Sequence, residues 1–570
     1  MVRTTAKRGP SRSNTTATLE SAKETIESLV MAFILAFTFR AYIVEAFVIP
    51  TGSMAPTLLG QHLRIQCSQC GYRFRVDMPE PEQLGINHHG RRQAASYLEN
   101  DVDAYCPMCR FPNFIARGTH PRAGDRILVH KYVYSVHEPR RWDIVVFKAP
   151  KRPAENFIKR LVGLPGENLL IVEGNVYVKP RAGDESKWRI ARKTDEQANP
   201  HATAVQRAVW QPVYHSQYLP RDDGKVSAFR PHDARWRCPW IPTVGDWQIE
   251  DRHNYRHNSA DRGVIEFDFA VQGSTVANRY PYNQFKLRGL YNSLVIRHGA
   301  RGGRNPLART IEPVEDVRIA AAFMPDSKGL TITLRTSARL DKQDLDAPPT
   351  DLVARIDANG QASLIAPRLA VERGGGVLKT TTIEPLHPGR ATTVELWHVD
   401  QEASLWVDGR AILRWQIDFD DFESVRFRRP LDADWYPRIA IEVTGSPVTL
   451  HRIEVDRDIV YASTNLAATL HRGTLVKSNG QVDGTPVDIL PRQYFCLGDN
   501  SPLSHDGRYW DDIDRRIRET MLTDPEHALG VVPQKLMTGR AFFVYFPAPY
   551  SVGRNGPAFV PNFGDMRFIR

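Results

Sequence analysis

Three groups of residues in this chain have the types and spacing to do chemistry. The first is Ser53, in FVIPTGSMAPTL, which follows directly on the apolar run LVMAFILAFTFRAYIVEAF. A serine hydroxyl is a weak nucleophile until a base takes its proton. The 18 histidines leave a serine–histidine–aspartate triad open on spacing, but none sits in a segment built around it. The other base is a lysine kept neutral by apolar surroundings. Lys159 in NFIKRLVGLPGE, between Phe157, Ile158, Leu161 and Val162, is such a lysine. On a strand it points opposite to Ile158 and Arg160. A lone lysine in a strand more often faces solvent, so this reading needs further support. Lys131 and Lys148 are competing bases, and His505 is a competing triad member.

The third group is Cys67-x2-Cys70 with Cys106-x2-Cys109. Four thiolates at this spacing suit a closed structural zinc site. Two disulfides are the alternative outside the cytoplasm, although such knuckles make poor structural disulfides. The pattern resembles a zinc ribbon whose gap of 35 residues exceeds the usual one of about 15–20. An inserted hairpin or helix is therefore needed, and His88 and His89 within it are spare ligands. Cys238 and Cys496 read as buried small residues, with a bond between them as the alternative.

These groups need elements to carry them. Residues 26–46 are about long enough for one transmembrane helix, with Arg40 able to snorkel toward headgroups. A cleavable signal peptide fits less well, because no small-x-small site ends the apolar core. Arg3, Lys7, Arg8, Arg12 and Lys23 precede the anchor. They predict a cytoplasmic N-terminus, with everything after Ala46 on the outer side. Residues 1–25 read as a disordered tail. With 42% hydrophobic and 25% charged residues the remainder is ordinary globular protein of several domains. The net charge of +10 is dispersed, without the basic patch that nucleic-acid binding requires.

Strands are expected at Ile127–Val133, Asp143–Phe147, Phe157–Val162 and Asn175–Val178. From about Trp247 to Val460, short alternating runs such as LTITLRTS, TVELWHVD and RIAIEVTG argue for an all-β sandwich. VELWHVDQEASLWVDGRAIL resembles a hairpin of concanavalin-like or laminin-G-like jelly rolls. Such a domain can bind glycan. Trp397 and Trp406 fall at strand positions, where core packing is the alternative to a sugar site.

In order along the chain, FVIPTGSMAPTL, GDRILVHKYVY, RRWDIVVFKAP, NFIKRLVGLPGE and YFCLGDNSPLSHDGR resemble the sequence boxes of bacterial type I signal peptidase (leader peptidase). The C-terminal GVVPQKLMTGRAFFVYFP is similar to that family's closing strands. The likeness covers the anchor, 47–66, 121–180 and roughly 465–570. It implies a mainly β fold of coiled antiparallel sheets after one transmembrane helix, interrupted at 67–120 by the cysteine module. A connecting segment at 181–240 and an inserted β-sandwich at 241–462 interrupt it again, and 463–570 close the core.

The resemblance also implies roles. Ser53 is the nucleophile, Lys159 the general base and Ser504 the hydroxyl that orients the lysine. Thr51, with the Ser53 N–H, forms the oxyanion hole. Asp506 and Arg508 are a supporting ion pair. Phe47, Ile49, Leu58 and Ile158 wall the pockets for small substrate side chains, with core packing as the alternative for each. The substrates would be signal peptides of exported preproteins at the outer face of the bacterial cytoplasmic membrane. Catalysis in that family needs no cofactor; a zinc on Cys67, Cys70, Cys106 and Cys109, which the resemblance does not itself call for, would be structural. Membrane lipid, and an envelope glycan or protein held by the sandwich, are the other expected partners. A catalytically idle membrane-tethered scaffold and a soluble Ser-Lys self-cleaving repressor are the competing classes. The repressor class lacks an anchor before the serine, and no helix-turn-helix pattern stands out here.

Overall fold

The computed structural model describes residues 13–77, 102–109, 111–115, 119, 121–181, 188–220, 238–250, 253–269, 314–340, 348–368, 376–417, 435–461, 473–478, 481–484, 486–501, 504–521, 529–551 and 558–570. His88 and His89 lie outside them. The chain enters through a helix, Ser13–Tyr42. Part of the expected disordered tail is therefore helical, because TATLESAKETIESL is rich in good helix formers; Lys23 and Glu27 also pair across one turn at 3.7 Å. The expected anchor ended at Ala46, but Val44–Val48 is already a strand, with Glu45 paired to Lys131 at 3.1 Å. No helix among the described residues is long and apolar enough to cross a membrane. Ile26, Leu29, Val30, Met31, Phe33, Ile34, Leu35 and Phe37 are nonetheless all exposed on this helix.

The sheet that positions the candidate site has eight strands. Its order is Val44–Val48, Arg126–His130, Met537–Phe546, Ile144–Lys148, Asn156–Gly163, Gln493–Leu497 and Val531–Pro533, with Arg567–Phe568 beside Met537–Phe546. Every pair in it is antiparallel. Strands from before and after the long insertion thus alternate in one sheet. Arg126–His130 is shorter than the expected Ile127–Val133, since Val133–Val136 closes into a helical turn. A six-stranded sheet containing Glu167–Val172 and Asn175–Pro180 packs on the first. Val162, Leu169, Ile171, Phe495, Leu497 and Val531 share one buried cluster between them.

The insertion is a sandwich of an eight-stranded and a seven-stranded antiparallel sheet. Alternation builds it: in Thr331–Ala338, Ile332 and Leu334 are buried while Thr331, Thr333 and Arg335 are half-exposed. Ile319 and Phe323 meet them from the other sheet in a common core. The sandwich takes in Gln211–His215, which pairs with Val448–Arg457, and so begins before the expected residue 241. The polar texture of 181–240 hid this strand and the helix Ala202–Val209. That helix covers the outer sheet face. Trp397 and Trp406 stack there at 4.3 Å, and Arg207 lies 4.8 and 5.0 Å over their rings.

Candidate active site

Ser53 sits in a single turn of 3-10 helix, Gly52–Met54, at the end of the segment that follows Val44–Val48. A helix start leaves its first N–H groups without intrahelical partners, so the Ser53 amide is available to an incoming oxygen. The turn is fixed by the segment that follows Gln493–Leu497. Asn500 donates its backbone N–H to the Ser53 carbonyl at 3.1 Å and its side-chain N–H to the Gly52 carbonyl at 3.1 Å. Gly498 allows this approach. A Cβ there would lie 2.1 Å from Ser504 Oγ and 2.4 Å from the Ser53 carbonyl oxygen.

Lys159, in the central strand Asn156–Gly163, places its Nζ 2.8 Å from Ser53 Oγ. Both are buried, at 5% and 8% exposure. Burial lowers the Lys159 pKa from 10.5 to about 8, against the opposing pull of Asp506. About a tenth of the amine is then neutral at pH 7, far more than for an ordinary lysine, and can accept the serine proton. The competing bases lie elsewhere. Lys131 is paired with Glu45, and Lys148 occupies the end of the neighbouring strand. His505 is exposed and lies against Tyr509, ring centroids 5.8 Å apart.

Behind the dyad, Asp506 and Arg508 form a fully buried two-pronged pair at 2.8 and 2.9 Å. Asp506 also accepts the Gly498 N–H at 3.0 Å. Burial pushes the Asp506 carboxyl up, but the Arg508 guanidinium outweighs it and holds the group below its usual value. Ser504 is buried, with no hydrogen-bond partner for its hydroxyl. It therefore makes no hydrogen bond to Lys159 in this conformation. Thr51 is half-buried and its hydroxyl does not cap the nucleophile turn. Ile49 and Leu58 are fully buried in a cluster against which Phe47 and Ile158 pack. Packing is thus the role visible for all four. Cys238 lies near the Tyr255 hydroxyl, Sγ to Oη 2.8 Å, while Cys496 is buried in another strand, and both thiols are free.

The sequence reading missed a second clamp. Arg160, on the opposite strand face from Lys159, makes a two-pronged pair with Asp499 at 2.7 Å on each prong. Thr57 donates its hydroxyl to the same carboxylate at 2.5 Å. The signal was available. Two adjacent cationic residues in an apolar strand cannot both reach solvent, so one needs a buried acid, and the Asp499-Asn500 step lies in the quoted YFCLGDN box.

The four cysteines come together. Cys67 Sγ lies 3.6 Å from Cys109 Sγ, and Cys70 Sγ lies 3.5 Å from Cys106 Sγ. All four sulfurs fall within 4.8 Å of one another. Tetrahedral zinc with Zn–S of about 2.3 Å requires sulfurs about 3.8 Å apart, whereas a disulfide requires about 2.05 Å. The donor set fits a thiophilic divalent metal.

Known proteins resemble parts of this chain. Residues 119–226 and 440–546 match the family "Signal peptidase, peptidase S26", two blocks that run into the sandwich from either end and leave most of the chain, Ser53 included, unmatched. Signal peptidase I of Aquifex aeolicus is 52% identical over 46 residues, 8% of this chain and 18% of that protein. Probable signal peptidase I-2 of Synechocystis is 39% identical over 67 residues, 11% of this chain and 31% of the relative. Signal peptidase I of Rickettsia massiliae is 26% identical over 170 residues, 30% of this chain and 47% of the relative. The chain thus spans less than half the length of these relatives. Among solved structures, carbohydrate binding module CBM66 from Bacillus subtilis aligns with 38% of this chain and 95% of its own, at 8% identity and a TM-score of 0.21.

Proposed function

We propose that this chain is a membrane-attached serine endopeptidase of the signal peptidase I type, removing N-terminal signal peptides after small-x-small sites. The observation that carries the reading is the buried 2.8 Å contact between Lys159 Nζ and Ser53 Oγ. Ser53 Oγ attacks the carbonyl carbon of the scissile peptide as its proton passes to neutral Lys159. The oxyanion is received by the Ser53 N–H, with the Thr51 hydroxyl rotating in beside it. Collapse breaks the C–N bond, and protonated Lys159 gives its proton to the leaving amine. A water, deprotonated by Lys159, then hydrolyses the ester and restores Ser53. Asp506, Arg508, Asn500 and the Arg160–Asp499 pair hold these groups and touch no substrate. Ser504, close to the turn, takes up the orienting bond to Lys159 when substrate settles the site.

The helix Ser13–Tyr42 anchors the enzyme, with the site on the outer side of the bacterial cytoplasmic membrane. Support comes from its apolar residues at 26–37, exposed on every face. A bound zinc on Cys67, Cys70, Cys106 and Cys109 would crosslink the module that follows the nucleophile and takes no part in bond cleavage. The concanavalin-like sandwich serves as a docked support. Its two tryptophans are covered by the chain's own helix Ala202–Val209 and by Arg207, which speaks against a sugar site on that face. The test is cleavage of a preprotein in detergent by the full chain and its Ser53→Ala and Lys159→Ala variants. Both variants should lose at least about a thousandfold in rate. Equal activity in all three would end the reading.

A further inference from the structure

The cysteine module does more than follow the nucleophile in sequence; it is tied back to it through the C-terminal segment. Its strands His62–Gln66 and Arg73–Asp77 place Arg64 and Arg75 directly opposite each other. Like charges so placed repel unless an anion sits between them. Asp565 does so, its Oδ2 3.4 Å from Arg64 and 3.0 Å from Arg75. Asn562 donates to the same oxygen at 2.7 Å. Two residues on, Arg567 donates from Nη1 to the Asp565 carbonyl at 3.1 Å. Its Nη2 reaches the Thr57 carbonyl at 2.8 Å and Asp125 at 3.0 Å. Asp125 in turn accepts the Leu59 N–H at 3.1 Å. Thr57 is therefore gripped twice, by Arg567 at its carbonyl and by Asp499 at its hydroxyl, four residues after Ser53.

The module cannot hold Arg64 and Arg75 in place unaided. Its described part is two separate two-stranded hairpins, Leu63, Phe74, Val76, Ala104, Met108 and Ile115 being its main buried apolar residues apart from the cysteines. Two-stranded sheets are marginal in water, and in small metal modules the binding free energy is the folding free energy. The four sulfurs join the hairpins at the ends of the strands that carry Arg64 and Arg75.

We propose that a thiophilic divalent metal, zinc first, bound by Cys67, Cys70, Cys106 and Cys109 sets the position of the Ser53 loop. It acts through the Arg64/Arg75–Asp565–Arg567–Thr57 chain of contacts, so that metal occupancy controls turnover. This rests on the peptidase reading for its effect on rate, but not for its effect on the loop. Asp565 and Arg567 are positioning residues in this account.

The test uses the full chain in detergent and reads three quantities: bound zinc per chain, amide hydrogen exchange across residues 54–59, and kcat with KM. Wild type should hold one zinc. Removing it with a chelator, or with Cys106→Ser, should raise exchange at 54–59 and lower kcat on the order of ten- to a hundredfold with KM little changed. Adding Zn2+ back to the stripped wild type should restore both. Asp565→Asn should keep its zinc yet show the same rise in exchange and the same fall in kcat. The Cys106→Ser/Asp565→Asn double variant should be no worse than either alone. A stripped wild type whose exchange at 54–59 is unchanged overturns the coupling. Wild type that binds neither zinc nor cobalt overturns the metal site. If wild type cleaves no preprotein but the exchange results hold, the peptidase reading fails and the coupling stands.

Discussion

Moving the bulk pH across the Lys159 amine should change the cleavage rate by an amount fixed in advance. With a pKa of about 8, about 9% of the amine is free at pH 7, about half at pH 8 and about 91% at pH 9. kcat/KM should therefore rise about tenfold from pH 7 to pH 9 and then level off. A lysine at its ordinary value of 10.5 would instead give about a hundredfold rise over the same interval with no plateau. The same depression has a stability cost with a definite sign. Below pH 8 the buried amine must be protonated at a shift of about 2.5 units from 10.5, about 3 kcal/mol against folding. Between pH 8 and 10.5 the unfolded chain holds the extra proton, so stability rises with pH until the penalty is gone. Lys159→Met keeps the volume and removes the charge. It should be the more stable protein at pH 7 by that amount, with the gap closing as pH approaches 10.5, while cleavage is abolished. Initial rates on a signal-peptide substrate and urea unfolding across this pH range read both effects. A hundredfold climb without a plateau, or a Lys159→Met protein less stable than wild type at pH 7, would refute the buried-base account.

Two further outcomes follow from the surrounding contacts. Asn500→Leu removes the side-chain bond to the Gly52 carbonyl and leaves the backbone bond to Ser53; it should lower kcat about tenfold with KM nearly unchanged, read by steady-state kinetics. Arg508→Met leaves the Asp506 carboxylate buried without its partner, which should cost about 3–5 kcal/mol at neutral pH. Because the lone carboxyl then titrates at a raised pKa, the deficit should shrink as pH falls and the group protonates, read by unfolding at pH 5 and pH 7.

The proximity of Lys159 to Ser53 was suggested by local sequence. A lysine among Phe157, Ile158, Leu161 and Val162 announces burial, and strand alternation separates it from Arg160. The cysteine cluster was legible for the same reason, since CxxC spacing carries its own geometry. The clamps around the dyad were not, because each joins residues far apart in the chain. Arg160 meets Asp499, Thr57 meets Asp499, and Arg567 meets Thr57 only after the sheet has formed. Boundaries failed where two signals competed. The apolar run through Val44 and Ala46 reads as continued helix, yet pairing with Arg126–His130 makes it a strand. The polar composition of 181–240 likewise concealed a helix whose Val205 and Val209 pack with Trp142 and Ile171, while its Arg207 lies on the sandwich tryptophans.

The two insertions enter at positions that matter to the site. The cysteine module begins right after the nucleophile loop, and its strand His62–Gln66 continues that loop directly. The sandwich begins after Asn175–Pro180 and returns through Tyr461, which is buried with Val162 and Phe495 beneath the lysine strand. Lys193 crosses between the parts to reach Asp400 at 2.5 Å and Asp458 at 2.8 Å, all three nearly fully buried. Arg339 of the sandwich also reaches Glu173 of the smaller sheet at 3.0 Å. A domain held by buried ion pairs of this kind is fixed in orientation, since a broken buried pair leaves an uncompensated charge. It therefore cannot swing as a tethered binding module would. Its bulk stands at one constant position beside the sheet that carries Ser53 and Lys159, so under the proposed peptidase reading any effect it has on cleavage would act through the shape it presents to a substrate.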